Sequence, residues 1–423
     1  MMSFPKRQNW LWYLLPANTT AEGLHTVLPL YVIFLGGSIN EVSVIAALHY
    51  GATAFGSIFW GKVIDRFHVR RAVLLVSFFG MLLCCIWLYF TKSLDVLFVI
   101  SPIIGFFVVG RNPVTHLLVM ESAQRNRWGW LFARTSIIAT FGMFCALLIG
   151  TVWSLYFDLS PYFLICAISS GIAIALSMTI KESSFNLERS SIAHSIHALA
   201  YSFTHFHFVF PKIPELYDYR HIITIFKGKV SDEIGILFLT NFLFYFGSNI
   251  YFTAYTPFLK SFNFSDSAVF LIYMIQTSMM IAIFFVVPRL ISKVGEERAT
   301  MISYAPRIIA VLIAGLLVPL MFGIGTFVVA IISACLMVVA FSIFSTSSSV
   351  IFFKSIPQGF EGKYLGVNSS ITGMGVFGGA LATGQLTHLF GYGVSFLASS
   401  IILAVSFVLF RMYLRYRLSH KSV

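Results

Sequence analysis

Long apolar runs separated by short polar breaks recur along the whole chain. They lie at residues 10–35, 42–61, 72–91, 96–120, 131–156, 161–180, 233–259, 266–287, 299–320, 326–353, 365–389 and 391–412. An α-helix needs about twenty apolar residues to cross a bilayer, whereas a membrane β-strand needs only about ten residues of alternating polarity. The pattern therefore predicts an all-helical membrane protein with twelve transmembrane helices.

The break after the second run, from Gly61 to Arg71, is short and strongly charged. It holds four Lys and Arg residues against a single acidic residue, Asp65. Because short loops rich in Lys and Arg stay on the cytoplasmic side, the prediction places this loop inside. Counting spans outward from it places both termini in the cytoplasm, with the chain in the cell membrane as a multi-pass protein.

Composition and charge agree with this topology. The chain is 58% hydrophobic and 10% charged, and its mean hydropathy is +0.86, whereas soluble domains carry about 25% charged residues. Of the 28 Lys and Arg residues, Lys92 and Lys260 fall outside and Arg111 and Arg307 fall deep within spans, while the others lie in inside segments or at inner span ends. This bias explains the net charge of +12 without nucleic acid as a partner.

One long break, from Lys181 to Asp232, divides the chain into an amino-terminal six-helix bundle (1–180), a central cytoplasmic loop (181–232) and a carboxy-terminal six-helix bundle (233–423). Residues 192–210 within the loop are aromatic and rich in histidine, which predicts an interfacial helix, with a disordered linker as the alternative. The histidine spacing matches no strong metal site, and the five cysteines of the chain lie in apolar runs without metal-ligand or disulfide spacing.

The two halves share sequence similarity. Residues 62–72 match residues 289–299 at an offset of 227, and residues 136–150 match residues 370–384 at an offset of 234, so that Gly150 corresponds to Gly384. Two comparable offsets at distant places indicate a duplicated unit. Repeated six-helix halves are typical of secondary transporters that open alternately to each side of a membrane.

The charged loop resembles the loop signature of the major facilitator superfamily. The resemblance rests on Gly61-x-x-x-Asp65-Arg66 followed by Arg70-Arg71, although His68 stands where the family usually has Gly and the family has one residue fewer before the basic pair. A degenerate copy from Pro288 to Arg298, Arg111 in span four and the turn from Arg125 to Gly129 also sit where that family has comparable features. The resemblance implies the family's fold, two pseudo-symmetric six-helix bundles.

The resemblance also implies a gating role for the loop residues Gly61, Asp65, Arg66, Arg70 and Arg71. In the proteins that it resembles, the carboxylate at the Asp65 position meets the start of span eleven, here around Gly362 to Gly366, and latches the halves on the cytoplasmic side. A carboxylate at a helix amino terminus is favourable, because it accepts hydrogen bonds from free N–H groups. The alternative is a loop that only determines topology.

Two ionisable residues at mid-depth are candidates for the functional site. Glu22 in span one and Arg111 in span four lie at depths that differ by about 5 Å at 1.5 Å per residue, and an ionisable group there costs roughly 2.5 to 3.5 kcal/mol on insertion scales. His25 shares the helical face of Glu22. The resemblance implies that spans one and four line a central cavity. We therefore hypothesise that these residues bind a polar or anionic substrate group or a coupling proton, with a structural ion pair as the alternative.

Polar residues in spans one and seven extend this candidate site. Asn18 lies one turn before Glu22, and Asn241, Tyr245, Ser248 and Asn249 form one stripe on span seven. The stripe, with Tyr245 and Asn249 as substrate-binding candidates, could face the cavity, while hydrogen bonding between helices explains it nearly as well.

Three further polar residues in spans are assigned structural roles. Arg307 follows Pro306 in span nine and is predicted to snorkel towards the membrane interface. His49 and His116 are isolated, which favours a satisfied packing role for each.

These observations predict a secondary active transporter rather than an enzyme. It is expected to move a small organic solute by alternating access, coupled to protons, as a monomer in the lipid bilayer. No Gly-x-x-x-x-Gly-Lys-Ser loop is present, so ATP is not expected to drive it, and no cofactor or metal is expected. One alternative is a multidrug efflux antiporter, although Thr151 follows Gly150 where that group of the family has Gly-Pro. The other is a membrane sensor, which a packed centre without a cavity would favour.

Overall fold

A computed structural model describes residues 6–67, 69–122, 128–180, 232–355 and 361–421. Within these ranges the backbone is helical, the connections are short, and no β-strand forms. The interfacial helix and histidines predicted for the central loop fall at residues 181–231, outside the described residues.

The first half begins with a short 3-10 helix, Lys6–Tyr13, that leads directly into the first α-helix. Its α-helices are α1 (Leu14–Phe34), α2 (Ile39–Phe67), α3 (Arg70–Phe90), α4 (Leu94–Val108), α5 (Arg111–Ser122), α6 (Trp128–Tyr156) and α7 (Tyr162–Met178).

The second half has longer helices. They are α8 (Asp232–Ser261), α9 (Asp266–Val294), α10 (Glu296–Leu312), α11 (Ile324–Ser355) and α12 (Glu361–Lys421). A π-helical turn at Ile313–Leu317 and a 3-10 turn at Val318–Leu320 extend α10. Within α12, Gly391 has φ 81° and ψ 171°, and the two spans predicted at 365–389 and 391–412 meet at this kink. Glycine adopts such a positive φ without the clash of a Cβ atom.

The fourth predicted span is not one continuous helix. It breaks between α4 and α5, where Asn112 N donates to Val109 O at 3.0 Å in a turn. Pro113 has no N–H group to donate to the Val109 carbonyl and therefore cannot continue the helical hydrogen bonding. Arg111 consequently lies at the first position of α5 instead of in the middle of a regular helix.

Nine helical segments among the described residues are long and apolar enough to cross a membrane. One of them, Val367–Arg415, contains the Gly391 kink, and α7 is a shorter apolar helix. The chain is thus an all-helical, multi-pass membrane protein, while the count of twelve crossings stays a prediction.

The helices pack within each half and across the two halves. In the first half α1 packs on α6 and α7, and α2 on α4; in the second, α8 packs on α12, and α10 on α11. Across the halves, α2 packs against α12 and α6 against α9.

Glycines allow several of these helices to approach closely. A Cβ atom on Gly379 of α12 would clash with the Phe246 carbonyl oxygen and lie 3.1 Å from Asn249 Cβ in α8. A Cβ atom on Gly171 of α7, in contrast, would make an ordinary contact with Leu82 at 3.7 Å. Small residues at helix contacts are a common means of close packing in membrane proteins.

We predict that Gly379→Ala lowers the free energy of unfolding in detergent by about 1 to 3 kcal/mol, because the added methyl group overpacks the contact between α8 and α12. Gly171→Ala is the matched control, and it should be neutral or stabilising by up to about 1 kcal/mol, since alanine favours the helix and has room. Urea titration followed by tryptophan fluorescence measures both. Equal stability of the two variants would contradict the packing.

Candidate functional site

A pocket lies between the two halves. Its empty volume is about 570 Å³, including the part that is open to solvent. From the first half, α1, α2 and α4 line it with His25, Leu28, Pro29, Val32, Val42, Ile45, Ala46, His49, Tyr50 and Ser101. From the second half, α8 and α9 contribute Phe252, Thr253, Thr256 and Tyr273.

Hydrogen bonds orient the polar side chains of the pocket. The His49 Nδ1 atom lies 3.1 Å from the Ser101 carbonyl oxygen, and the Ser101 hydroxyl donates to the Ile45 carbonyl at 3.1 Å. The Tyr50 hydroxyl lies 3.3 Å from His25 Nε2. These bonds tie α1 and α4 to α2. They thereby hold two imidazole rings and a phenol at the same wall of the pocket.

The second half presents a hydroxyl pair at the opposite wall. The hydroxyls of Thr256 and Tyr273 lie 2.8 Å apart and are buried. Thr253, three residues before Thr256 on the same face of α8, also lines the pocket. Residues from both halves therefore meet around one space.

The halves touch directly beside this pocket, at the end of the bundle that the predicted topology places outside. Ser267 of α9 donates to the Thr151 carbonyl of α6 at 2.8 Å, and the Phe270 ring fills the space beside Gly150. Gly384 of α12 packs against Ser43 of α2. These contacts join the two halves at this end of the bundle.

Glu22 and Arg111 lie near the pocket without lining it. Both side chains are described, and no ion pair joins them directly, although their charges are close enough to interact. Glu22 is partly exposed, one turn before His25. The Arg111 Nη1 atom is buried without a hydrogen-bond partner among the described residues. Beside it, the Tyr13 and Thr115 hydroxyls share a hydrogen bond of 2.7 Å.

The other predicted binding residues make their contacts outside the pocket lining. Asn18 donates to the Leu14 carbonyl of its own helix at 2.6 Å. Asn249 donates to the Val376 carbonyl of α12 at 2.7 Å, so its amide joins two helices. Tyr245 packs edge-on against Phe344. Of the predicted binding set, His25 alone is among the lining residues that the structure describes.

The charged loop is shorter in the structure than the sequence predicted. Helix α2 continues through Gly61 and Asp65 to Phe67, and α3 begins at Arg70, so most of the predicted loop is helical. Arg70 pairs with Glu121 at the end of α5. The side chains of Asp65 and Arg66 lie outside the described residues, and Arg71 is partly exposed.

The snorkelling predicted for Arg307 is wrong. Its side chain is 1% exposed and lies inside the second half. Its Nε atom donates to the Ser248 hydroxyl at 2.9 Å, its Nη1 atom donates to the Met337 carbonyl at 3.1 Å, and the guanidinium lies 4.6 Å from the centre of the Phe244 ring. The Arg307 guanidinium is thus stabilised by local hydrogen bonds and ring contacts, and not by water at the membrane interface as the sequence predicted.

Sequence reasoning missed most of the pocket lining. His49 was assigned a packing role, and Tyr50, Ser101, Thr256 and Tyr273 were not considered. Hydroxyl and aromatic residues are common in spans, so each is a weak signal alone. The informative pattern was the helical spacing of Thr253 and Thr256, but the partners from α2 and α4 become apparent only when the helices are packed.

Comparisons with solved structures agree with this fold. The nucleoside transporter NupG superposes with a TM-score of 0.73 at 15% sequence identity, covering 97% of this chain and 99% of that chain. A D-xylose-proton symporter gives 0.71 at 17% identity, covering 95% of each chain. A POT family transporter in complex with a thioalcohol-conjugated peptide gives 0.74 at 15% identity, covering 98% and 96%. At such identities the likeness establishes the fold alone.

Sequence relatives match over a shorter stretch. The multidrug resistance protein MdtG of Proteus mirabilis (strain HI4320) is 28% identical over 145 residues, which is 33% of this chain and 36% of that protein. MdtG of Rahnella sp. (strain Y9602) is also 28% identical over 145 residues, 33% of this chain and 35% of that protein. The alignment thus spans about a third of these relatives' length.

The Major Facilitator Superfamily sequence profile matches residues 9–360 and 237–422, which together include nearly the whole chain. On this match, together with the helical architecture and the pocket between its halves, the chain belongs to the Major Facilitator Superfamily.

Proposed function

We propose that this chain is a secondary active transporter. It moves a small organic solute across the cytoplasmic membrane by alternating access, with protons as the coupling ion and both termini in the cytoplasm. The observation that carries the proposal is the pocket whose walls come from both halves of the chain. A site between two bodies is exposed to opposite sides when the bodies rock about it.

The contacts between the halves support this mechanism. Gly150 and Gly384 correspond to each other in the sequence repeat, and both lie where α6 meets α9 or α2 meets α12. Two equivalent contacts would arise if residues 1–180 and 233–423 are related bundles, joined by the central loop. We propose that these contacts close the outer side in this state and separate when the transporter opens outward.

Glu22 is our candidate for the coupling proton. It is a partly exposed carboxyl group at the predicted middle of span one, and it lies one turn from His25 at the pocket. It is close enough to Arg111 for their charges to interact. Neutralising a carboxylate by a proton lowers the cost of moving it within a low-dielectric interior. Protonation of Glu22 would therefore favour one arrangement of the halves over the other. Arg111, whose Nη1 atom has no hydrogen-bond partner among the described residues, would respond to that change.

Multidrug efflux is the second candidate function, because the relatives matched over 145 residues are named multidrug resistance proteins. A sensor without transport would favour a packed centre. The pocket between the halves supports transport over that alternative. Its lining includes residues of α8, the predicted span seven, but neither Glu22 nor Arg111.

We predict that Glu22→Gln abolishes most proton-coupled transport while solute exchange between the two sides persists, because glutamine cannot carry the proton but nearly keeps the shape. Purified protein in liposomes with an internal pH dye provides the measurement, with uridine, D-xylose and a lipophilic cation as trial solutes. Proton entry with the solute indicates symport. Proton movement against the solute indicates antiport and the efflux alternative.

Glu41→Gln is the matched control for this experiment. Glu41 lies in the first turn of α2, accepts a hydrogen bond from the Ser38 N–H at 2.7 Å and is not among the pocket-lining residues that the structure describes. Coupled transport should survive its replacement. Unchanged coupling in Glu22→Gln would refute the role of that carboxyl group, and no solute movement by the unmodified chain with any trial solute would refute transport of these solute classes.

For the predicted latch, we expect Asp65→Asn to increase the rate at which a membrane-impermeant thiol reagent added from the cytoplasmic side modifies a Thr253→Cys reporter in the pocket. Losing the carboxylate charge should weaken its attraction to the amino-terminal end of α12 and favour the inward-open state. Asp158→Asn, in the connection between α6 and α7, is the control. Equal labelling rates in the two variants would leave the loop as a topology determinant only.

A further inference from the structure

We propose that the pocket binds an uncharged, ring-shaped solute whose hydrogen-bond donors meet the Nε2 atom of His49. The inference deepens the proposed function and rests on it, since it names the class of solute that the transport cycle would carry. It follows from the hydrogen bonding, ring content and charge of the pocket walls.

The bond to Ser101 determines the tautomer of His49. A carbonyl oxygen only accepts hydrogen bonds, so the Nδ1 atom at 3.1 Å carries the hydrogen. In a neutral imidazole the other nitrogen, Nε2, is then an acceptor. The close approach of α4 to α2 at Gly105, where a Cβ atom would clash with the His49 carbonyl, maintains this geometry. His49 lines the pocket, so this wall carries an acceptor on a ring that the bond to Ser101 holds in place.

The remaining polar groups also favour donors on the solute. The Tyr50 hydroxyl is shared with His25 Nε2 at 3.3 Å, and the Thr256 and Tyr273 hydroxyls are shared with each other at 2.8 Å. A hydroxyl has one donor and two acceptor positions, and each internal bond uses one of each, so the pairs keep more acceptor than donor positions. What is left for a solute is mostly acceptor capacity.

Rings and apolar groups complete the walls. His49, Tyr50, Phe252 and Tyr273 contribute ring faces or edges, and Ile45 contributes an aliphatic surface. Aromatic side chains pack well on flat or cyclic solutes.

The electrostatics disfavour charged solutes. None of the lining residues that the structure describes is Asp, Glu, Lys or Arg, and an ion buried without a partner loses much of its hydration energy.

Binding is tested by thermal-shift titration of the purified full chain with two matched sets of probes. Uridine and phenyl glucoside are uncharged rings with hydroxyl donors, while uridine 5′-monophosphate and tetraphenylphosphonium are charged. We expect a saturable shift with at least one uncharged probe and none with the charged probes. His49→Asn should weaken binding of that uncharged probe about three- to tenfold, the effect of one neutral hydrogen bond, because asparagine keeps a donor for Ser101 but lacks the Nε2 acceptor.

Two further variants control this titration. His116→Asn changes a histidine of α5 whose ring packs on Phe132 at 5.6 Å, outside the pocket lining, and should leave binding unchanged. Tyr273→Phe removes one acceptor with little change of shape, and should weaken binding even if His49→Asn fails to fold.

The inference is overturned if neither uncharged probe binds, or if a charged probe binds more tightly. It is also overturned if His49→Asn binds the uncharged probe as well as His116→Asn does. If His49→Asn does not fold, Tyr273→Phe takes its place in this comparison. Its failure is separable from failure of the proposed function. Coupled movement of a charged solute would support the proposed transport function and refute the proposed class of solute. Binding of uridine without its movement into liposomes would support the class of solute and refute transport.

Discussion

Polar groups in the middle of a bilayer have no water to bind, and the arrangement of this chain depends on how each of them is satisfied. Arg307 shows one solution, since Ser248, a backbone carbonyl and the Phe244 ring surround its guanidinium within the second half. Asn249 shows another, because its amide bonds to the α12 backbone. Polar side chains that form hydrogen bonds with a neighbouring helix join the two helices. The polar side chains of the pocket, such as His49, Thr256 and Tyr273, are also hydrogen-bonded, but in addition they line a space between the halves.

The same constraint explains why the halves can touch and still separate. Their contacts beside the pocket rely on glycines and small hydroxyl residues, as at Gly150 and Gly384, and on a single described hydrogen bond from Ser267 to the Thr151 carbonyl. Neutral hydrogen bonds contribute only about 0.5 to 1.5 kcal/mol each. Close packing with few strong polar bonds would allow the halves of the proposed transporter to come together at this end and to separate again.

The sequence was sufficient for the membrane class, the family and most helix positions, because apolar runs of span length are a strong signal. It located the kink at Gly391, where two predicted spans meet. It failed where an outcome depends on neighbouring helices. Arg307 was assigned to the interface because its partners lie on α8 and α11, far away in sequence. The break before Arg111 had a local signal in Pro113. That the Arg111 Nη1 atom has no partner in the described part of the chain becomes visible only when the helices are packed. The pocket was missed because its hydroxyl and aromatic residues are individually ordinary.

Alternating access requires the two halves to move about the pocket, and one cross-linking measurement tests this movement most directly. Cysteines at Thr151 and Ser267, in a chain whose five native cysteines have been replaced, would join α6 to α9 where Ser267 now contacts the Thr151 carbonyl. Solute uptake into liposomes is measured before oxidation, after disulfide formation and after reduction. The account predicts that the disulfide stops uptake and that reduction restores it. Uptake at an unchanged rate with the disulfide fully formed would contradict alternating access through this contact.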